Sequence, residues 1–552
     1  MDRLYNIFAF SEEEPLIFTQ ADFWIFFAAV YFIYALIYNK KYLRSLYIFL
    51  ISLLFYYKTS GLFIGILIFS TINDFFLGKA IYNSKSKLKQ QFLVATSVLI
   101  NLGTLCYFKY AYFFTDSYNS LAGTDYKVIN HLALWTNNLA GVDYFTVDSI
   151  VLPVGISFYT FQTISYCIDI YRKQLKPINS IIDFGFFVSF FPQLVAGPIV
   201  RASEFIPQIK QEISISKQDF GRAVFMILKG LIKKMIFADF IAANFLDRVF
   251  DAPEMFSGFT NIMALFGYSL QIYGDFSGYT DIAIGIALLM GFTLPKNFDS
   301  PYKATSCGNF WKRWHISLST WLKDYLYIPL GGNRTGSIAT YVLCSLFIFW
   351  LLLAMKSYTF VFIAIGIIIL GLLLTLLFPN INKHFTTNIN ILLTMLIGGL
   401  WHGASWKFVI WGGLNGIGIL IYKYWRRISP YENSNSKLSL IWKIAITFLF
   451  ITFTRVYFRG NSMEHISKQY YQIANNMDLT NALAVLQEYQ LVFWVMLAGY
   501  ITHWLSYSLK DKIETLFIKS HFILKVIAAV ITGVLCYQTY ASDFQPFIYF
   551  QF

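Results

Sequence analysis

Two of the seven histidines sit in runs of residues that make them candidates for chemistry. His315 lies in Phe310-Trp311-Lys312-Arg313-Trp314-His315-Ile316-Ser317-Leu318-Ser319-Thr320-Trp321-Leu322-Lys323-Asp324-Tyr325. At about 100° per residue, Trp311, Trp314, Leu318, Trp321, Leu322 and Tyr325 share its arc, and Lys312, Arg313, Ser317, Ser319, Thr320, Lys323 and Asp324 take the opposite one. This pattern predicts an amphipathic helix over 309–328 at the cytoplasmic interface, with His315 in the middle of its apolar face. An imidazole there needs an interior partner, because burying it unsatisfied costs roughly 2 kcal/mol or more. Two readings stay open: a core histidine bonded to a backbone carbonyl, or a functional group. His402 lies in Gly398-Gly399-Leu400-Trp401-His402-Gly403-Ala404-Ser405, eleven residues into an apolar run that begins at Ile391. At ~1.5 Å per residue that is ~16 Å deep, near a bilayer midplane, where an ionisable group is a functional hypothesis by default. The flanking glycines let backbone or substrate approach closely; the competing reading is a helix-packing glycine cluster with a passenger histidine.

Further candidates are weaker. Asp275 and Asp281, with Tyr279 between them, place two carboxylates in a long apolar run, suited either to an ion or proton path or to pairing at a glycine-induced break. Lys229, Lys233 and Lys234 are expected to snorkel to the cytoplasmic surface. The chain has no G-x-S-x-G, Walker loop, G-x-G-x-x-G or H-E-x-x-H. Its five cysteines form no C-x-x-C pair, which argues against disulfides and zinc sites. A metal site built on the two histidines finds no third ligand at a suitable spacing.

The elements that must hold these residues are membrane helices. Of 552 residues, 57% are hydrophobic, 20% aromatic and only 13% charged, against roughly 25% charged in soluble domains; mean hydropathy is +0.54. This excludes an ordinary soluble protein. The net charge of +13 belongs in cytoplasmic loops, and with no clustered basic stripe on a soluble module, nucleic-acid binding is excluded. Taking about 20 apolar residues per crossing, candidate spans are 21–38, 45–57, 60–78, 91–113, 149–169, 223–249, 259–292, 338–355, 359–378, 441–457, 491–507 and 522–541. Segment 259–292 is too long for one straight span. Stretches 183–200 and 391–423, broken by Pro or Gly, read as re-entrant. The fold class expected is all-α: a polytopic helical bundle of about 11–13 spans plus re-entrant segments. Glu12, Glu13 and Glu14 argue against a cleaved signal peptide. With residues 1–20 outside, Lys58 tips a hairpin, the aspartate-bearing loop 114–148 is outside, and 296–334 and the cluster Lys423, Arg426, Arg427, Lys437, Lys443 are inside.

Several motifs are similar to those of the membrane-bound O-acyltransferase family, in its bacterial alginate O-acetylase-like branch. They are Asn309 to Asn333 (NFWKRWHISLSTWLKDYLYIPLGGN), Phe191-Pro192-Gln193-Leu194-Val195-Ala196-Gly197-Pro198-Ile199, Leu152 to Phe158, Gly399 to Gly403, and the terminal Phe547-Ile548-Tyr549-Phe550-Gln551-Phe552. The resemblance implies a bundle around a central tunnel, with N-terminal transmembrane helices in 1–148, a catalytic core in 149–423 and C-terminal helices in 441–552. It also implies a multi-pass protein of the bacterial cytoplasmic (inner) membrane. An acyl thioester, acetyl-coenzyme A or an acylated carrier protein, would arrive from the cytoplasm with no bound cofactor. The acetyl group would leave toward an extracytoplasmic polysaccharide through a periplasmic acyltransferase partner.

By position, His402 matches the family's catalytic histidine and His315 the second histidine of this branch. An imidazole with a pKa of about 6.5 suits removal of a hydroxyl proton, so His402 is expected to activate the acceptor and His315 to orient or polarise the thioester. Trp311, Trp314 and Trp401 would line the tunnel, with Ser317, Asp324 and Asp275 as further candidates. Lys312, Arg313 and Arg334 would meet the donor's phosphates or an acidic carrier, or simply form a positive-inside collar. Competing readings are acylation of a lipid, teichoic acid or peptidoglycan, and a polysaccharide or ion transporter.

Overall fold

The computed structural model describes residues 16–539, apart from 142, 144, 196, 335 and the stretch 356–378, within which only Phe362 and Gly366 are described. The acidic cluster Glu12–Glu14, Ala196, the terminal motif 547–552 and most of the expected span 359–378 therefore lie outside the described residues. Every regular element among the described residues is helical, as the composition requires. The chain groups into two compact units that interleave in sequence. One comprises Met1–Val98, Phe158–Ser319 and Pro430–Phe552; the other comprises Leu99–Ser157 and Thr320–Ser429.

Four helical runs among the described residues are long and apolar enough to cross a membrane: Lys41–Asn83, Lys87–Ser120, Lys437–Arg459 and Phe522–Thr539. A fifth is present if Ala482–Glu488 and Gln490–Trp504, bent by 86°, form one broken span. The all-α helical membrane bundle expected is what the described residues form. Of the other expected spans, Ala21–Ile37 and Ile338–Trp350 are apolar helices but shorter, and Gly258–Leu289 exchanges aliphatic residues for Gly, Tyr, Thr and charge. Lys58, expected at the wet tip of a hairpin, is buried. The loop expected over 114–148 carries helix to Ala122 and again over His131–Ala140.

The core of the first unit is the pair formed by Lys217–Leu231 and Gly258–Leu289. The first opens on a capping box of Ser216 and Asp219 and continues into a π-helical stretch, Ile232–Phe240. The second is unbroken over 32 residues, ~48 Å at 1.5 Å per residue, so the break expected near its Gly-Asp-Phe-Ser-Gly segment does not occur. The glycines serve approach instead of bending. A Cβ on Gly278 would stand 2.7 Å from the Gly230 carbonyl oxygen, and one on Gly230 would stand 2.6 Å from that of Gly278. Backbones this close bring side chains of the π-helical stretch against those of its neighbour.

That contact decides the fate of the lysines. Lys234, 1% exposed, binds Asp275 at 2.5 Å and Asp239 at 2.7 Å; Lys233 binds Asp281 at 2.7 Å, with Lys229 at 3.3 Å from the same oxygen. Snorkelling is therefore not their role, and of the alternatives for Asp275 and Asp281 the structure has pairing. Removing one member of a buried pair strands the other charge, at a cost of about 3–5 kcal/mol. Lys234→Met should accordingly lower the unfolding temperature in detergent sharply, and adding Asp275→Leu should recover part of the loss. A Lys234→Met protein as stable as wild type would contradict the pairing.

Candidate active site

His315 is held by a break in the helix expected over 309–328. The chain is helical over Cys307–Trp311, turns through Lys312–Trp314 and resumes helix at Ile316–Leu322. At His315 the backbone is left-handed, with φ +44°, a conformation that costs a non-glycine residue about 1–3 kcal/mol. The compensation comes from Asn297, which sequence reasoning missed. Its carbonyl accepts from the Ile316 N–H (2.9 Å), and its Oδ1 accepts from the Ser317 N–H (3.1 Å) and Ser317 Oγ–H (2.9 Å). Ser317 Oγ in turn accepts from the Ile199 N–H at 3.0 Å, so Ser317 faces the interior and not the polar arc drawn from the helical wheel.

The His315 ring is fully buried. Its Nδ1 accepts from the Leu318 N–H at 3.3 Å, capping the resumed helix in the manner of an N-cap residue. A ring that accepts at Nδ1 and is neutral carries its proton on Nε2. Phe276 packs edge-on at 4.6 Å. Trp314, 3% exposed, stacks on Phe310, and the buried Arg455 guanidinium lies 4.4 Å over it. Trp311 is half-buried and Lys312 exposed; Arg313 donates to Tyr507 Oη (2.7 Å) and to the Asp299 carbonyl (3.1 Å).

In the second unit His402 ends the helix Pro379–His402, which turns at Gly403–Ser405 into Trp406–Trp425. The apolar run expected to begin at 391 is thus the later part of a longer helix, and His402 sits at the tip of a helical hairpin. The two arms touch through glycine: a Cβ on Gly399 would meet the Phe408 carbonyl oxygen at 2.3 Å, and one on Gly412 the Met395 oxygen at 2.3 Å. His402 is 2% exposed and edge-on to Trp401 (5.0 Å) and Trp411 (5.1 Å).

The carbonyls at the end of this helix are clamped by Lys109 and Tyr110, also missed. Lys109 Nζ donates to the carbonyls of Trp401 (2.8 Å) and His402 (3.3 Å), and Tyr110 Oη to that of Leu400 (2.9 Å). A cation at a helix C-terminus meets the negative end of the dipole. A lysine inside the apolar run 91–113 was the available signal. Asp324 is half-buried and Arg334 exposed in this unit. The structure thus gathers His315, Ser317 and Trp314 on one turn and His402 with Trp401 on another, whereas Asp275 is engaged by Lys234. Among the described residues no group of three or more His, Cys, Asp or Glu is placed to hold a metal ion.

Two outcomes follow from this geometry. Burial pushes the His315 imidazole from 6.5 down to about 3, so the unfolded chain takes up a proton that the folded one refuses. This residue's contribution to stability is whole above about pH 6.5 and is lost as pH falls toward 3, by up to about 1.4 kcal/mol per unit. His315→Asn should flatten that slope in unfolding temperatures measured between about pH 7 and 5; parallel slopes would contradict it. Gly412→Ala should cost about 1–3 kcal/mol by overpacking, read as a lower unfolding temperature, while a change at the exposed Ile421 should cost almost nothing.

A sequence model of the membrane-bound O-acyltransferase family matches residues 172–388, which include His315 and stop short of His402. The chain is 31% identical over 450 residues to the peptidoglycan O-acetyltransferase of Helicobacter pylori, covering 77% of this chain and 72% of that one. It is 34% identical over 431 residues to a probable alginate O-acetylase of Pseudomonas syringae, covering 77% and 69%. A teichoic acid D-alanyltransferase of Bacillus subtilis matches at 26% over 324 residues, covering 56% and 70%. Identity at this level over most of both chains, in a helical protein of membrane composition, is decisive: the chain belongs to the membrane-bound O-acyltransferase family and is an O-acyltransferase.

Proposed function

We propose that the chain, in the bacterial cytoplasmic membrane, takes an acetyl group from a cytoplasmic thioester and passes it toward hydroxyls of an extracytoplasmic polysaccharide through a periplasmic acyltransferase partner. Acetyl is favoured because the relatives at 31% and 34% identity carry O-acetylation in their names, and the D-alanyl relative is more distant at 26%. The peptidoglycan acetyltransferase of Helicobacter pylori, similar over 77% of this chain, supports a second reading in which peptidoglycan is the acceptor.

The observation that carries the mechanism is a 2% exposed imidazole, His402, boxed by two indoles on a turn whose carbonyls are clamped by Lys109. A thioester is already activated, so transfer needs a base rather than a protein nucleophile. In this reading the His402 ring takes the proton of the acceptor hydroxyl as its oxygen attacks the thioester carbonyl carbon. The C–S bond then breaks, and the proton passes to the departing thiolate. The role proposed for His315 is to orient or polarise the thioester, and burial keeps its imidazole neutral near pH 7. The donor is acetyl-coenzyme A or an acetylated carrier protein.

Transfer of radiolabelled acetyl from acetyl-coenzyme A in membrane vesicles tests this. His402→Ala should reduce the rate by about 10²–10⁴-fold, the usual yield of general acid–base catalysis, and His315→Ala should reduce it as well. A His402→Ala protein inserted at the normal level and still transferring acetyl would overturn the assignment. Analysis of the labelled glycan separates the two acceptors.

A further inference from the structure

His503 takes no part in the chemistry above, yet it is 3% exposed and its environment is unusual. Its Nε2 accepts from the Tyr302 N–H at 3.2 Å, so the neutral ring carries its proton on Nδ1, and this buried Nδ1–H has no hydrogen-bond partner among the described residues. An unmet buried donor is costly, and the charges that act on this ring are those of Lys510, Lys233 and Lys303. Lys510 Nζ donates to the His503 carbonyl (2.7 Å) and Ser300 Oγ (2.9 Å). Lys303 Nζ donates to the Leu505 carbonyl (2.6 Å) and lies 4.7 Å over the Tyr507 ring, whose hydroxyl accepts from Arg313. Lys233 Nζ stands 5.1 Å from the Tyr273 ring, which packs edge-on against His503 at 4.7 Å.

The carboxylates bonded within this group are Asp281, shared by Lys233 and Lys229, and Asp299, shared by Arg313 and the exposed Lys296. Positive charge is therefore left over. The strain is visible at Lys510, pushed down to about 8 by burial and by Lys303, Lys233 and Lys229. The lysines are half-buried, not sealed.

We propose that His503 Nδ1–H, with Lys233, Lys303 and Lys510, forms a binding site for a phosphate group. Such a ligand accepts the orphan proton and offsets the excess charge in one step. The site adjoins the His315 surroundings: Phe298 packs on Tyr273 (6.1 Å), Phe276 (5.0 Å) and Trp314 (5.0 Å), and Phe276 touches His315. The phosphate belongs either to a soluble phosphorylated donor, which rests on the proposed function, or to an anionic lipid headgroup, which does not.

Binding to the purified full-length protein, read without turnover, tests the site independently of acyl transfer. In detergent, coenzyme A and inorganic pyrophosphate are titrated into wild type, Lys510→Gln and the Lys303→Gln/Lys510→Gln pair. In nanodiscs and by native mass spectrometry, retention of phosphatidylglycerol is compared with that of phosphatidylcholine. A loss of about tenfold or more in affinity for coenzyme A and pyrophosphate in the variants, as expected for one lost charge-assisted bond, supports the soluble source. Phosphatidylglycerol retention that falls in the same variants, without binding of the soluble probes, supports the headgroup. Wild type and variants indistinguishable toward all probes would overturn the proposal. Should the double variant not fold, Lys510→Gln and His503→Phe give the same comparison.

Discussion

An ionised group buried among apolar helices must find its counter-charge inside the protein, because the desolvation penalty is several kcal/mol per ion. In the first unit this constraint ties the two core helices into a fixed register. Lys234 reaches Asp275, and Lys233 reaches Asp281, because Gly230 and Gly278 let the backbones come together, while Asp239 meets Lys234 from five residues along the same stretch. The small residues and the charges are parts of one device, in which the glycines set the distance and the ion pairs set the phase. Buried Arg455 meets aromatic partners instead, lying over Trp314 and donating to Tyr302 Oη.

Both histidines sit where regular helix stops. A side chain in mid-helix competes for space with the turn before it, whereas a residue at a break can be aimed by its own backbone. At His315 the left-handed conformation is supported by Asn297, and the Nδ1 bond to the resumed helix selects the tautomer with Nε2–H. At His402 the break is the tip of a hairpin whose arms are in backbone contact, and Lys109 and Tyr110 hold the terminal carbonyls. The two solutions differ, one a strained turn and the other a clamped helix end. Each fixes the backbone that carries a buried imidazole within an apolar shell.

The class of fold was legible in the sequence, and so was the placing of two histidines in apolar surroundings, where the structure buries both. Hydropathy is a sum over neighbours, and an ionisable group in an apolar run stands out without any knowledge of its partners. The helical wheel over 309–328 also gathered the correct buried residues, Trp314, His315 and Leu318. It failed at the turn through Lys312–Trp314 because a wheel assumes continuous helical backbone, and the bonds that pay for the break come from Asn297, outside the window. Lys229, Lys233 and Lys234 look like snorkelling residues in sequence because nothing local distinguishes a lysine that reaches water from one that reaches an aspartate on another helix.

Composition and local pattern by themselves determined the solvent of this protein, its helical class and which few polar residues defy that solvent, since each of these depends on residues adjacent in the chain. The tertiary structure alone decided what those polar residues meet. Asp275 became a counter-ion 41 positions from its lysine, Lys109 a clamp 292 positions from the carbonyl it holds, and His503 a ring bonded to a residue 201 positions away. Hydrogen bonds and ion pairs act over a few ångströms, so their partners are set by which helices touch and not by separation along the chain.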